Sequence, residues 1–246
     1  MTRIALITGA NRGLGLEIAR LLGQAGVTPV IGARDPGKGR EAAGVLRNEG
    51  LGADWVALDV DSASSVKLAA KEVEARYGRL DILVNNAGIL PEATGGAAPE
   101  AVDLDMFTRT FGTNVFGAVS VIQEFLPLLR ASDSGRIVNV SSTMGSLSNQ
   151  SDPASPWYEV VVPAYIASKA ALNAVTVTLA KLLRGTPIKV NSICPGWVQT
   201  DLGGPDNRAA APLTTEEAAP IAAQMALLPE DGPTGRFVDR NGAVAW

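Results

Sequence analysis

Thr8-Gly9-Ala10-Asn11-Arg12-Gly13-Leu14-Gly15 separates an apolar run, Ile4-Ala5-Leu6-Ile7, from a stretch with helical spacing that starts at Leu14. An apolar run without alternation suits a strand covered on both faces. Glycines between such a strand and a helix permit a tight turn and a close approach of backbone. The free N–H groups at the helix start then offer a seat for a pyrophosphate. The spacing is G-x-x-x-G-x-G and not G-x-G-x-x-G, so the loop alone is also compatible with a merely tight strand–helix turn.

Outward from this loop the same pattern repeats. Strands are expected at residues 3–8, 28–33, 54–58, 80–85, 136–141, 188–194 and 235–239. Helices are expected at 14–25, 37–49, 62–77, 101–129, 165–184 and 215–228. Such alternation predicts right-handed crossovers and an α/β fold, a doubly wound parallel sheet of Rossmann type. No repeat, low-complexity tract or linker divides the chain, so residues 1–246 read as one domain. Loops near 89–100, 143–164 and 201–213 each follow a strand and precede a helix. Ligands of such sheets sit outside the carboxyl ends of the strands, which puts these loops at the mouth of the expected site.

Composition prunes the function classes. With 46% hydrophobic and 19% charged residues, the chain can bury a substantial core. Twenty-one basic side chains against 25 acidic ones, with no basic cluster, argue against nucleic acid and anionic membrane as partners. No apolar stretch reaches the ~20 residues that span a bilayer. The first strand starts too early for a signal peptide, and the one cysteine, Cys194, fits a reducing compartment, so a cytoplasmic location is expected. There is no histidine, which excludes a Ser-His-Asp hydrolase. Without histidine and with one cysteine, no zinc site of the usual N/S type can form, and no metal is expected. Acid–base work falls to Tyr, Lys, Asp or Glu.

The second strand ends at Gly32-Ala33 and is followed by Arg34-Asp35. An NAD site usually carries an acid here for the ribose 2′-hydroxyl. Arg34, with Arg12 in the glycine loop, can instead hold a 2′-phosphate, which favours NADP(H). Asp35 reads either as a helix cap ahead of Pro36 or as a ribose ligand. Asp59, followed by Val60, could accept the adenine amino group or supply charge to the next helix. Asn85-Asn86-Ala87-Gly88 would let backbone lie against a ribose, or form a plain turn.

Tyr165 and Lys169 are four apart at a helix start and share one face. An ammonium beside a phenol favours the phenolate, so a lowered Tyr165 pKa is expected. In most helices such a pair is merely a surface pair. Alternation along Ile137-Val138-Asn139-Val140 does not choose between Ser141 and Ser142. Asn114 lies in a mostly apolar helix and needs hydrogen-bond partners there. Cys194, in an apolar strand, reads as packing.

These motifs occur in a particular order: T-G-x-x-x-G-x-G, Asp59, N-N-A-G, Asn114, a serine after the fifth strand, Y-x-x-x-K, Pro195-Gly196-Trp197-Val198-Gln199-Thr200 and a closing Pro233-Thr234-Gly235-Arg236-Phe237-Val238-Asp239. In that order, over nearly the whole length, the chain resembles the short-chain dehydrogenase/reductase family, and within it the carbonyl reductases. The resemblance implies an NADP(H)-dependent oxidoreductase that reduces a ketone or aldehyde to an alcohol. It assigns the pyrophosphate loop to Gly9, Asn11, Arg12, Gly13, Leu14 and Gly15, and the adenine to Asp59 and Val60. The adenosine ribose falls to Asn86, Ala87 and Gly88, and the nicotinamide ribose to Tyr165 and Lys169. Pro195, Gly196, Val198 and Thr200 would frame the carboxamide. The implied catalytic group is Asn114, Ser142, Tyr165 and Lys169, with Asn114 kinking its helix and Ser142 bonding the substrate oxygen.

The segment between Ser142 and Tyr165 is longer than in the shortest family members, and Trp157 within it reads as a substrate contact. In the family such an insertion can cover a helix face used for assembly, which leaves monomer and homo-oligomer both open. An NAD-dependent alcohol or steroid dehydrogenase is the rival activity. A non-catalytic NADP-sensing regulator is the rival class.

Overall fold

A computed structural model describes residues 2–94 and 102–246 of the chain. The strands expected from the apolar runs all form, mostly one or two residues shorter than expected: β1 Ile4–Thr8, β2 Thr28–Ala33, β3 Asp54–Ala57, β4 Ile82–Asn85, β5 Arg136–Val140, β6 Lys189–Ile193 and β7 Phe237–Asp239. A two-residue strand not anticipated, β8 Gly242–Ala243, pairs antiparallel with β7. The sheet order is β3-β2-β1-β4-β5-β6-β7-β8, and all other pairings are parallel. The chain runs outward from β1 to β3, then returns to place β4 on the other side of β1. Ligand sites of such sheets lie at that reversal.

Helices cover both faces. Every residue of β1, β4 and β5 is buried. Ala5, Ile7, Ile82, Val84 and Val138 pack with Ile18 and Leu22 of α1 (Gly13–Gln24), Leu46 of α2 (Pro36–Asn48) and Met225. Ile4, Leu6, Leu83 and Ile137 face the other way, toward Val66 and Val73 of α3 (Ala63–Tyr77) and Phe125 and Leu129. The unalternating apolar runs of the sequence are thus strands with two buried faces.

The helix expected over residues 101–129 is not continuous. Residue 101 and the loop residues 95–100 lie outside the described residues. From there α4 (Leu104–Phe111) and α5 (Ala118–Arg130) are separated by a wider π turn, Gly112–Gly117, with Asn114 inside it. One short helix, α6 (Leu147–Gln150), lies within the inserted segment, and the longest described helix, α7 (Pro163–Leu182), follows it. Helix α7 starts two residues before the expected Tyr165 because Pro163 occupies its first turn, where a missing N–H costs nothing. A helix not expected, α8 (Gly204–Ala210), follows β6. The helix expected at 215–228 forms as α9 (Thr215–Ala218) and α10 (Pro220–Ala226), since Pro220 has no N–H to continue the ladder.

A buried polar chain sets the register of α7 on the sheet. Asn85 Nδ2 donates to Asn139 Oδ1 at 2.8 Å, and Asn139 Nδ2 donates to Thr176 Oγ1 at 2.8 Å. Thr176 also bonds Ser192 Oγ at 2.8 Å. About three turns upstream of Thr176, Tyr165 lies toward the carboxyl ends of the strands. At the opposite end of the strands the buried Arg136 donates to the carbonyls of Gly135, Pro187, Leu228 and Pro229, which pins the chain after α10.

Candidate active site

The glycine loop and the Asn86–Gly88 segment meet at the β1/β4 reversal. Thr8 Oγ1 accepts from the N–H groups of Asn86 and Ala87, both at 3.0 Å. Asn86 Nδ2 donates back to Thr8 O at 2.9 Å. Gly15 permits this contact: a Cβ there would lie 2.5 Å from Asn86 Nδ2 and 2.9 Å from Ala10 Cα. Helix α1 begins with Arg12 at its N-cap, no side-chain cap and no acid in the first turn. Its free N–H groups and positive dipole end face the crevice, which fits the pyrophosphate expected there.

Around this loop the alternatives left by the sequence narrow. Asp35 is committed to α2, accepting from Gly37 N at 2.8 Å and Lys38 N at 3.2 Å, while Arg34 beside it is exposed. Ser62, not Asp59, caps α3. Asp59 accepts from Asp61 N at 3.2 Å, and its own N–H donates to Ser65 Oγ at 3.0 Å. Arg12 pairs with Asp201 at 2.6 Å, and Asp201 pairs also with Arg208 at 2.9 Å. Sequence reasoning did not foresee Asp201, which lies 189 positions from its partner. The Pro195–Thr200 stretch turns back over the glycine loop, with Thr200 Cγ2 placed 3.6 Å from where a Gly13 Cβ would stand. Beyond it opens a cleft of about 630 Å³ lined by Gln199, Asp201, Gly204, Pro205, Arg208 and Ala209.

Ser142, Tyr165 and Lys169 converge. β5 ends at Val140, so the two serines lie past the strand, where alternation no longer applies. Ser141 is buried and donates to Lys169 O at 3.4 Å. Ser142 lies beside the Tyr165 phenol and pulls its pKa down. It also accepts from Met144 N at 3.2 Å. The turn that carries it packs directly on α7 at Gly145, where a Cβ would lie 2.6 Å from the Lys169 main-chain carbon. Lys169 Nζ donates to Val140 O at 2.8 Å and lies 5.5 Å from the centre of the Tyr165 ring.

The lowered phenol pKa expected from Lys169 is overturned. Tyr165 and Lys169 are 5% and 4% exposed. Desolvation disfavours whichever form is charged: it raises the Tyr165 phenol well above its ordinary range and lowers the Lys169 ammonium to about 8. Burial, with a smaller push from Cys194, outweighs the pull of Ser142, so Tyr165 stays protonated.

Asn114 is fully bonded across the π turn. Its Oδ1 accepts from Ile89 N at 2.8 Å, and its Nδ2 donates to Ile89 O and Ser168 Oγ, both at 3.0 Å. The interrupted helix and the satisfied core amide are therefore one feature. Cys194 is buried and accepts from Gly196 N at 3.4 Å. Trp157 is half-buried, whereas Tyr158 is exposed. Glu92, which nothing in the sequence singled out, accepts from the N–H groups of Ala164 at 2.9 Å and Tyr165 at 2.8 Å.

A glycine loop with an uncapped helix at the reversal of a doubly wound sheet, beside a serine and a buried tyrosine–lysine pair, defines an oxidoreductase of the Rossmann class. The short chain dehydrogenase family matches residues 3–211, and the chain belongs to that family. It is 35% identical to (+)-neomenthol dehydrogenase of Arabidopsis thaliana, over 97% of this chain and 96% of that protein. It is 32% identical to carbonyl reductase [NADPH] 1 of Sus scrofa, over 100% of this chain and 94% of that one. The NADPH-bound carbonyl reductase of chicken fatty liver superposes with a TM-score of 0.82 at 29% identity, covering 100% of this chain and 99% of that one.

Proposed function

We propose that this enzyme uses NADPH to reduce the carbonyl of a small ketone or aldehyde to an alcohol. The observation that carries the reading is the convergence of a half-buried Ser142 with the buried Tyr165 and Lys169, whose desolvation keeps the phenol protonated. The bound nicotinamide supplies the hydride. Ser142 and Tyr165 hold the substrate oxygen and stabilise the negative charge that develops on it. Tyr165 Oη gives its proton to that oxygen. Lys169, held by Val140 O, keeps a cation below the phenol ring and favours the phenolate once the proton has left. Asn114 holds the π turn against Ile89, next to the helix that carries the pair.

Gly9, Asn11, Arg12, Gly13, Leu14 and Gly15 surround the pyrophosphate. Asp59 and Val60 meet the adenine, and Asn86, Ala87 and Gly88 the adenosine ribose. Pro195, Gly196, Val198 and Thr200 flank the nicotinamide. Arg34, exposed at the end of β2, holds the 2′-phosphate, while Asp35 beside it uses Oδ1 to cap α2. Support for NADPH over NADH also comes from the relatives whose names specify NADPH.

The test is oxidation of NADPH, and separately of NADH, against acetophenone, benzaldehyde, menadione and a set of cyclic ketones. Turnover with at least one carbonyl, and a higher kcat/KM with NADPH, is expected. Turnover of none, or a preference for NADH, contradicts the reading.

A further inference from the structure

Helix α7 opens without a cap of its own. Val162 stands at the N-cap and has no side-chain acceptor. Pro163 has no N–H, and Ile166 N already donates to Val162 O at 2.9 Å. That leaves two free main-chain donors, Ala164 and Tyr165, and a single side chain takes both: Glu92 Oε1 and Oε2 accept one each. Ala164 is 0% exposed and Tyr165 5%, so water is a poor substitute for the carboxylate. A negative charge there also suits the positive end of the helix dipole.

The carboxylate comes from the far side of the crevice. Glu92 sits in a 3₁₀ turn, Pro91–Thr94, on the segment that leaves β4. The same segment is bonded to the glycine loop through Thr8 and to the π turn through Ile89 and Asn114. Glu92 adds a third tie, to the main chain of Tyr165 itself.

We propose that Glu92 is a positioning residue for proton transfer. It fixes the Tyr165 backbone, and with it the phenol, against the segment that faces the cofactor. This rests on the reading of Tyr165 as proton donor. A cap alone would stabilise the helix; a clamp from across the crevice also sets where the phenol stands. Its loss therefore lowers kcat more than it changes binding, because a small misplacement of a reacting group is felt in the transition state.

The experiment compares four variants with the wild type: Glu92→Ala, Glu92→Gln, Glu92→Ala combined with Val162→Asp, and Tyr165→Phe. Glu92→Gln keeps the shape but turns an NH₂ group toward an N–H donor. Val162→Asp gives α7 a local acceptor for the same two N–H groups, without the tie across the crevice. Tm, NADPH Kd, and kcat and KM are measured with acetophenone, or with whichever carbonyl turns over fastest. The expected result is a kcat lower by roughly 10- to 100-fold in both Glu92 variants. KM and NADPH Kd stay within about twofold, and Val162→Asp recovers Tm but not kcat. Unchanged kcat in Glu92→Ala, or recovery of kcat together with Tm, overturns the proposal and leaves Glu92 as a cap. If Tyr165→Phe keeps its turnover, the reading beneath the proposal fails instead.

Discussion

Lys169 stands 5.5 Å from the centre of the Tyr165 ring, yet its hydrogen bond goes to the carbonyl of Val140 and not to the phenol. The strand end thus holds the ammonium in place, and the phenol is free to bond elsewhere. Both groups carry the cost of burial in opposite directions, the phenol raised and the ammonium lowered.

That cost has a pH signature. The folded Lys169 titrates at about 8, below its ordinary 10.5. Between those values the unfolded chain binds the extra proton, so this residue makes stability rise as pH increases. Lys169→Met removes the contribution. From pH 8 to pH 9, below the titration of unfolded tyrosine, the wild type should gain on the order of 1 kcal/mol relative to the variant. Urea unfolding at a series of pH values measures this, and parallel curves would show that burial leaves the ammonium unperturbed.

Arg34→Ala is expected to weaken NADPH binding by about tenfold or more and to leave NADH binding nearly unchanged. A charge-assisted bond to a phosphate contributes ~1.5–3 kcal/mol, and NADH has no 2′-phosphate to lose. Titration of both coenzymes decides it. Equal losses would show that Arg34 supports the fold, and that Asp35 does not exclude NADH by being tied to α2.

Trp157 lies half-buried in the segment that leads into α7. Trp157→Ala should raise KM for bulky aromatic ketones and change little for small aliphatic ones, with NADPH Kd held within about twofold. A uniform rise for all substrates, or a collapse of NADPH affinity, would mean that the indole packs the fold.

Much of the architecture is legible in local pattern. The double burial of Ile4–Ile7 and of Ile82–Val84 follows from runs without alternation, and the β1–α1 loop from its glycines. What local pattern does not carry is what distant contacts decide. The apolar stretch around Asn114 reads as unbroken helix, and the π turn is held by Ile89, 25 positions away. Ser141 and Ser142 are indistinguishable by alternation because both lie past the strand; they differ in that Ser141 is buried against Lys169 O while Ser142 stays partly open. The rise of the Tyr165 pKa is not legible in the sequence, because spacing shows the nearby charge and not the burial around it. Glu92 meets α7 from 72 positions away, beyond the reach of any motif.

The central claim is that Tyr165 is the proton donor, and one substitution addresses it. The chain has no histidine, and Lys169 donates to Val140 O and not to the phenol, so neither replaces the phenol as donor. Single-turnover oxidation of NADPH by Tyr165→Phe, measured with enzyme in excess of the ketone, should be slower than wild type by about 10²–10⁴-fold, with NADPH Kd largely intact. A variant that keeps more than about a tenth of the wild-type rate would contradict the account.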